Sequence, residues 1–160
     1  MEGLLLSVHV LAGIVFVGGS AVAASLFPRY APVAVAVAVG PADAATPAPD
    51  AEGERSRAVA VALHRITRVY GIFGVVVPVV GIALAVVQGR MGEVWINIAM
   101  VLTAIAGALL AFLIYPGQRD ALAEPDDGKR LRSLAMLAGI YNLLWAVVVV
   151  LMIVRPGAYS

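Results

Sequence analysis

Cysteine is absent from all 160 residues. That removes disulfides, thiolate metal sites and cysteine nucleophiles together. Charge is also scarce. Asp, Glu, Lys and Arg make up 13% of the chain, about half the share usual in soluble domains. Lysine occurs once, at Lys129, and histidine twice, at His9 and His64. The net charge of +1 gives no whole-chain field that would recruit nucleic acid. What is abundant is apolar surface, at 62% of residues. A chain this short has too little interior to hide that much from water. Lipid is therefore the expected solvent.

Four apolar runs are long enough for ~30 Å of hydrocarbon, which takes about 20 helical residues. They cover about 3–27, 69–88, 94–115 and 134–154. Barrel strands would alternate and run about 10 residues, so helices are predicted. The expected fold is an all-α membrane protein: a single domain forming a four-transmembrane-helix bundle. A weak echo suggests two repeated hairpins. The first and third runs end aromatic-Pro with Arg beyond, and the second and fourth carry Gly71-Ile72 and Gly139-Ile140.

Arginine placement predicts orientation. Nine cations (Arg29, Arg55, Arg57, Arg65, Arg68, Arg119, Lys129, Arg130, Arg132) fall on one side and two, Arg90 and Arg155, on the other. That bias puts both termini outside the cell and the longer loops in the cytoplasm. Ala21–Ser25 has the small residues of a cleavage site. However, no Lys or Arg precedes the run, and the run is too long for a leader, so a retained span is expected. The cytoplasmic loop 29–68 contains a Pro/Ala-rich segment, then Asp50 in N-cap style before a helical extension starting near Ala51. Two readings stand for this loop. It either sets topology as a solvated extension or docks a partner or anionic lipid.

Small and polar residues mark helix contacts in lipid. At 100° per residue, one stripe on the first run holds His9, Gly13, Phe16, Ser20 and Phe27. On the second it holds His64, Thr67, Gly71, Gly74, Pro78 and Ala85. On the third it is Asn97, Ala104, Ala108, Ala111 and Tyr115. On the fourth it is Ala135, Ala138, Asn142 and Ala146, with Trp145 beside them. Pro78 is expected to bend its helix near the Gly74 carbonyl.

The polar inventory inside the runs is short. His9 lies about six residues in from the outer boundary, roughly 9 Å by helix rise. Asn97 lies at similar height, and the two are candidate cofactor-binding residues in one outer-leaflet cluster. The bland alternative is that His9 simply ties helices together. No Asp, Glu, Lys or Arg lies deep in a span, which leaves no buried relay for a pump. No triad, carboxylate pair or metal cluster is apparent, so no catalytic residues or metal ligands are assigned. His9 and His64 lie roughly 20 Å apart along the normal by helix rise. They cannot both ligate one haem within a subunit. His64, between cations, reads as an interfacial residue. Asn142 with Tyr141 and Trp145 reads as a bundle contact or as a wall of a small-ligand pocket.

Leu4–Gly13 with Gly18-Gly19-Ser20 resembles the opening helix of several small bacterial membrane families. They include the copper-resistance-D-like group and the four-helix protoporphyrinogen oxidases that bind b haem. They also include a four-span family with no assigned activity. The overall look, with Leu26–Tyr30 and Leu63–Arg68, is most similar to the last. The resemblance implies a four-helix bundle in a bacterial plasma membrane. From the oxidases, only a first-helix haem histidine carries over, onto His9. Those enzymes also have an intramembrane Lys, whereas Lys129 lies in a loop, which argues against oxidase activity. The expected role is non-enzymatic: an accessory or scaffold protein with no resident cofactor. It would act through helix contacts with a membrane partner or a second copy. A haem or redox role for His9 is the first alternative and a small-solute permease the second.

Overall fold

In the computed structural model, residues 2–34 and 56–157 are described. They form four long helices: Glu2–Tyr30, Arg57–Val87, Val94–Ala123 and Lys129–Val154. Each contains one of the expected runs, to within one residue at Gln88. The helices are 26 to 31 residues long, or about 40–45 Å at 1.5 Å per residue, more than the hydrocarbon needs. The excess lies at the arginine-rich end. There the second helix begins twelve residues before Val69, at Arg57, and the third runs on to Ala123.

Local chemistry sets the boundaries. Ser56 caps the second helix, its hydroxyl accepting from the Val59 N–H at 3.4 Å. The Asp50 cap and the Pro/Ala-rich segment lie outside the described residues. The second helix breaks at Val75, between Arg57–Gly74 and Val76–Val87. Pro78 has no N–H for the Gly74 carbonyl and its ring crowds it, so the expected bend falls where a proline puts it. Gly89, at φ 66°, turns the chain toward the third helix. Before the fourth helix, the Asp126 carboxylate accepts from the N–H groups of Gly128 at 2.9 Å and Arg130 at 3.0 Å. At the far end Arg155, at φ 47°, stops the helix ahead of Pro156.

Two helices carry a wide π-helical turn, Gly13–Val17 in the first and Leu110–Ile114 in the third. Pro116 accounts for the second, because the preceding turn must yield where its ring and missing N–H intrude.

The first helix packs against the second and fourth, and the fourth also packs against the third. The core divides along the bundle. Phe27, Leu63, Leu122, Leu131 and Leu134 fill the arginine-rich end. Ala24, Ala106, Leu110, Ile114, Ala138 and Tyr141 fill the middle. Ala85, Trp95 and Ile96 close the other end. Large apolar side chains such as Ile14, Ile72, Phe112, Leu143 and Ile153 are more than half exposed. A water-soluble monomer does not present such a belt, and a multi-pass membrane protein does.

Two of the four expected stripes face inward. Ser20 and Phe27 are buried on the first helix, as are Thr67 and Ala85 on the second. The third helix corrects the reading. Asn97, Ala104, Ala108 and Ala111 are exposed, while Ile96, Ala99, Ala106, Leu110 and Ile114 make its core face. On the fourth helix Ala138 is buried but Ala135 and Ala146 are exposed, and Leu131, Leu134, Tyr141 and Val148 take the inner positions. The cause is that Leu and Ile suit both a packed interior and lipid, so small size alone did not fix the phase.

Candidate functional site

His9 is half-buried and reaches across to the second helix. Its Nδ1 lies 3.0 Å from the Val77 carbonyl oxygen. A carbonyl only accepts, so Nδ1 carries the proton and donates. In the neutral imidazole, Nε2 then bears the lone pair. Gly81 makes the seat, since a Cβ there would come within 2.9 Å of His9 Cε1. This is the interhelical tie foreseen for His9. Asn97 does not join it. Its amide donates to the Glu93 carbonyl at 3.2 Å, within the first turn of its own helix. The expected His9–Asn97 cluster is not assembled by any hydrogen bond among the described residues.

The middle of the bundle holds a cavity of about 80 Å³ with walls from all four helices. Its walls are mostly apolar, and Ser20, Tyr70, Thr103, Tyr141 and Trp145 are the lining residues with polar side-chain atoms. Ser20 Oγ donates to the Val17 carbonyl at 2.9 Å. The Tyr141 hydroxyl, 2.8 Å from Ser20 Oγ, is therefore the donor of that pair. Trp145 lies edge-to-face with Tyr141, centroids 6.3 Å apart. Its Nε1 is buried and turned to the Tyr141 hydroxyl, short of full hydrogen-bond geometry. Asn142, read beside Tyr141 and Trp145, lies elsewhere. It donates to Ser25 Oγ at 2.8 Å, in a shallow groove between the first and fourth helices.

Toward the arginine-rich end a second polar group forms. Gln118 is fully buried. Its Oε1 accepts from His64 Nδ1 at 3.1 Å, and its Nε2 donates to Thr67 Oγ1 at 3.4 Å. The His64 ring stacks on Tyr115 at 4.8 Å. His64 is thus held inside a contact between the second and third helices. Gln118 was missed because Tyr115-Pro-Gly reads as the end of a span. The available signal was its spacing of eight residues from Leu110, on the same face of a continuing helix. Around this end Arg57 donates to the Leu122 carbonyl at 2.8 Å. Arg130 donates to the Asp120 and Glu124 carbonyls at 2.9 and 3.0 Å. Both guanidinium groups meet the negative end of the third helix's dipole.

At the opposite end Trp95 is buried, its N–H donating to the Glu93 carboxylate, with Arg155 6.0 Å over its ring. Among the described residues no group of three His, Cys, Asp or Glu side chains is gathered for a metal. No protein-family model, curated protein or solved structure matches the chain.

Proposed function

We propose that the protein is a non-catalytic component of a bacterial plasma membrane that works by presenting a helix face to another helix in the bilayer. The observation that supports this reading is the outer face of the third helix. Asn97, Val101, Ala104, Ala108 and Ala111 follow one another at steps of four and three, and all are exposed. Small residues let a second backbone approach closely, and an exposed Asn offers a polar contact that lipid cannot satisfy. The arginine bias supports cytoplasmic loops and outward-facing termini.

The cysteine-free sequence makes the test clean. Ala104→Cys and Ala108→Cys each introduce a sole thiol, which takes a benzophenone label. Illumination in native membranes is expected to give one discrete cross-linked species from both sites. None is expected from Ile72→Cys, on an exposed face of the second helix. A species of twice the mass identifies a second copy, and another mass a partner. A smear, or no product from either alanine site, overturns the proposal. An impermeant maleimide on intact cells is expected to label Gly89→Cys and spare Arg119→Cys.

A second reading rests on His9. An imidazole whose Nδ1–H is held by a backbone carbonyl offers Nε2 as a ligand of fixed tautomer. His9 fits a haem only as a single axial ligand, because His64 is engaged with Gln118 and Tyr115. Protein purified in mild detergent after growth with added haem would show a stoichiometric Soret band, lost in His9→Ala. Absence of the band in the unaltered protein removes this reading.

A further inference from the structure

The cations of the arginine-rich end divide by partner. Arg57 and Arg130 give protons to helix-end carbonyls, and Arg119 and Lys129 pair with Asp120 and Asp127 at 3.3 and 3.1 Å. Arg65 and Arg68 are exposed, and neither makes an ion pair or a side-chain hydrogen bond among the described residues. Their depth follows from what comes next. Residues 69–87 carry no charge and rise about 29 Å as a helix, which matches the ~30 Å of hydrocarbon. Arg68 therefore stands at the hydrocarbon boundary, with Arg65, its neighbour on the helix surface, in the headgroup layer. Arg68 also borders a seam. It follows His64 by one turn, on the side of the helix that meets Gln118 and Tyr115 of the third. The second and third helices pack chiefly at this end. Beyond it Leu110 lies against Gly71, but Gly74 and Gly107 put no side chain across, and a Cβ at either would meet nothing within 4 Å. Val75 and Gly107 are exposed there, at the edge of the mostly apolar cavity. Val75 lies two turns, about 10 Å, beyond Arg68 on the same side of the helix. The headgroup layer is only about 5–8 Å deep, so the seam opens at the level of the acyl chains.

We propose that this seam binds an anionic phospholipid of the leaflet at the arginine-rich end, its phosphate on Arg68 and Arg65 and one acyl chain laid past Val75 over Gly74 and Gly107. Guanidinium groups match phosphate oxygens in pairs. Each arginine near the surface strengthens attraction to acidic lipid about fivefold. A soluble anion has nothing to lay in the apolar seam. The proposal stands independently of the third helix's outer face, since it needs neither a second copy nor a protein partner.

Phosphatidylglycerol and phosphatidylcholine with identical acyl chains test it, because both carry a phosphate and only the first has a net charge. The protein is released from nanodiscs made of equal parts of the two, and the lipid it retains is identified by native mass spectrometry. One phosphatidylglycerol per chain is expected to be retained in preference. Arg68→Gln is expected to lower that preference about fivefold, and Arg65→Gln with Arg68→Gln roughly 30-fold. Arg29 is an exposed cation on the first helix, and Arg29→Gln is expected to leave the preference unchanged. Gly107→Leu puts a side chain in the seam while keeping both arginines, and is expected to abolish retention. Thermal melting followed by helical circular dichroism reports that each variant is folded. Equal losses from Arg29→Gln and Arg68→Gln overturn the proposal, because they mean surface charge without a site. So does retention that survives in the folded double-arginine or Gly107→Leu variant, and so does displacement of the lipid by millimolar inorganic phosphate.

Discussion

Gly19→Ala is expected to destabilise the bundle, by roughly 1–3 kcal/mol if it behaves as other overpacked cores do. A single methyl does this because the Tyr70 ring lies directly over the Gly19 backbone. A Cβ there would stand 2.1 Å from Tyr70 Cδ2 and 2.2 Å from Cε2. The ring is also in contact with Phe16, edge-on at 6.0 Å, and Phe16 in turn stacks on Phe73 at 5.5 Å. The contrasting variant is Gly139→Ala. Nothing lies within 4 Å of a Cβ at that position, on the exposed side of the fourth helix. There the ordinary helix preference applies, and alanine is expected to stabilise by about 0.5–1 kcal/mol. Thermal or SDS unfolding in micelles reads both. Opposite signs from the same chemical change are the expected result. Equal signs would mean that the Tyr70–Gly19 approach is wrong. Tyr70→Leu in the Gly19→Ala background is expected to recover much of the loss.

The second large effect concerns Gln118. Gln118→Leu keeps the volume but leaves the His64 N–H and the Thr67 hydroxyl without their partner. Each abandoned buried group costs about 1–3 kcal/mol in water-soluble proteins, and interhelical bonds in membranes average nearer 0.6 kcal/mol. The expected loss is therefore about 1–3 kcal/mol in total. The triple change Gln118→Leu, Thr67→Val, His64→Phe removes every polar group of the network and keeps a ring against Tyr115. It is expected to unfold later than Gln118→Leu alone, because removing all partners together leaves nothing unsatisfied. Additive losses across the three sites would show that the network is no unit.

The helices were legible because hydrocarbon demands long apolar runs. Pro156 marks the end of the fourth, but the first and third run on through Pro28 and Pro116, to Tyr30 and Ala123. The bend at Pro78 followed from its missing N–H. The faces of the first two helices were legible because Ser20, Thr67 and the glycines have no use for lipid. The third helix was ambiguous for a definite reason. It carries two sets of small residues, Ala99 with Ala106 and Ala104 with Ala108 and Ala111. Leucine and isoleucine beside them are at home on either side. Within the site, the packing role of His9 could be read, while the partner of Asn97 could not. Pairing across helices depends on azimuth, and a π turn upsets the count. The cavity was legible only as a hint in Tyr141 and Trp145, since its other walls, Thr103 and Gly107, look like ordinary span residues.

The wide turn at Gly13–Val17 decides which neighbours the first helix serves. Ser20 and His9 are eleven residues apart, about three regular turns, and an uninterrupted α-helix would aim them the same way. The turn takes in one additional residue, which swings the preceding segment by about 100°. Ser20 thus addresses the fourth helix through Tyr141, and His9 addresses the second through Val77. Loss of one residue from that stretch would re-phase the segment as a block. The imidazole would leave its carbonyl and come round toward the fourth helix, so that the fastening between the first and second helices would be lost.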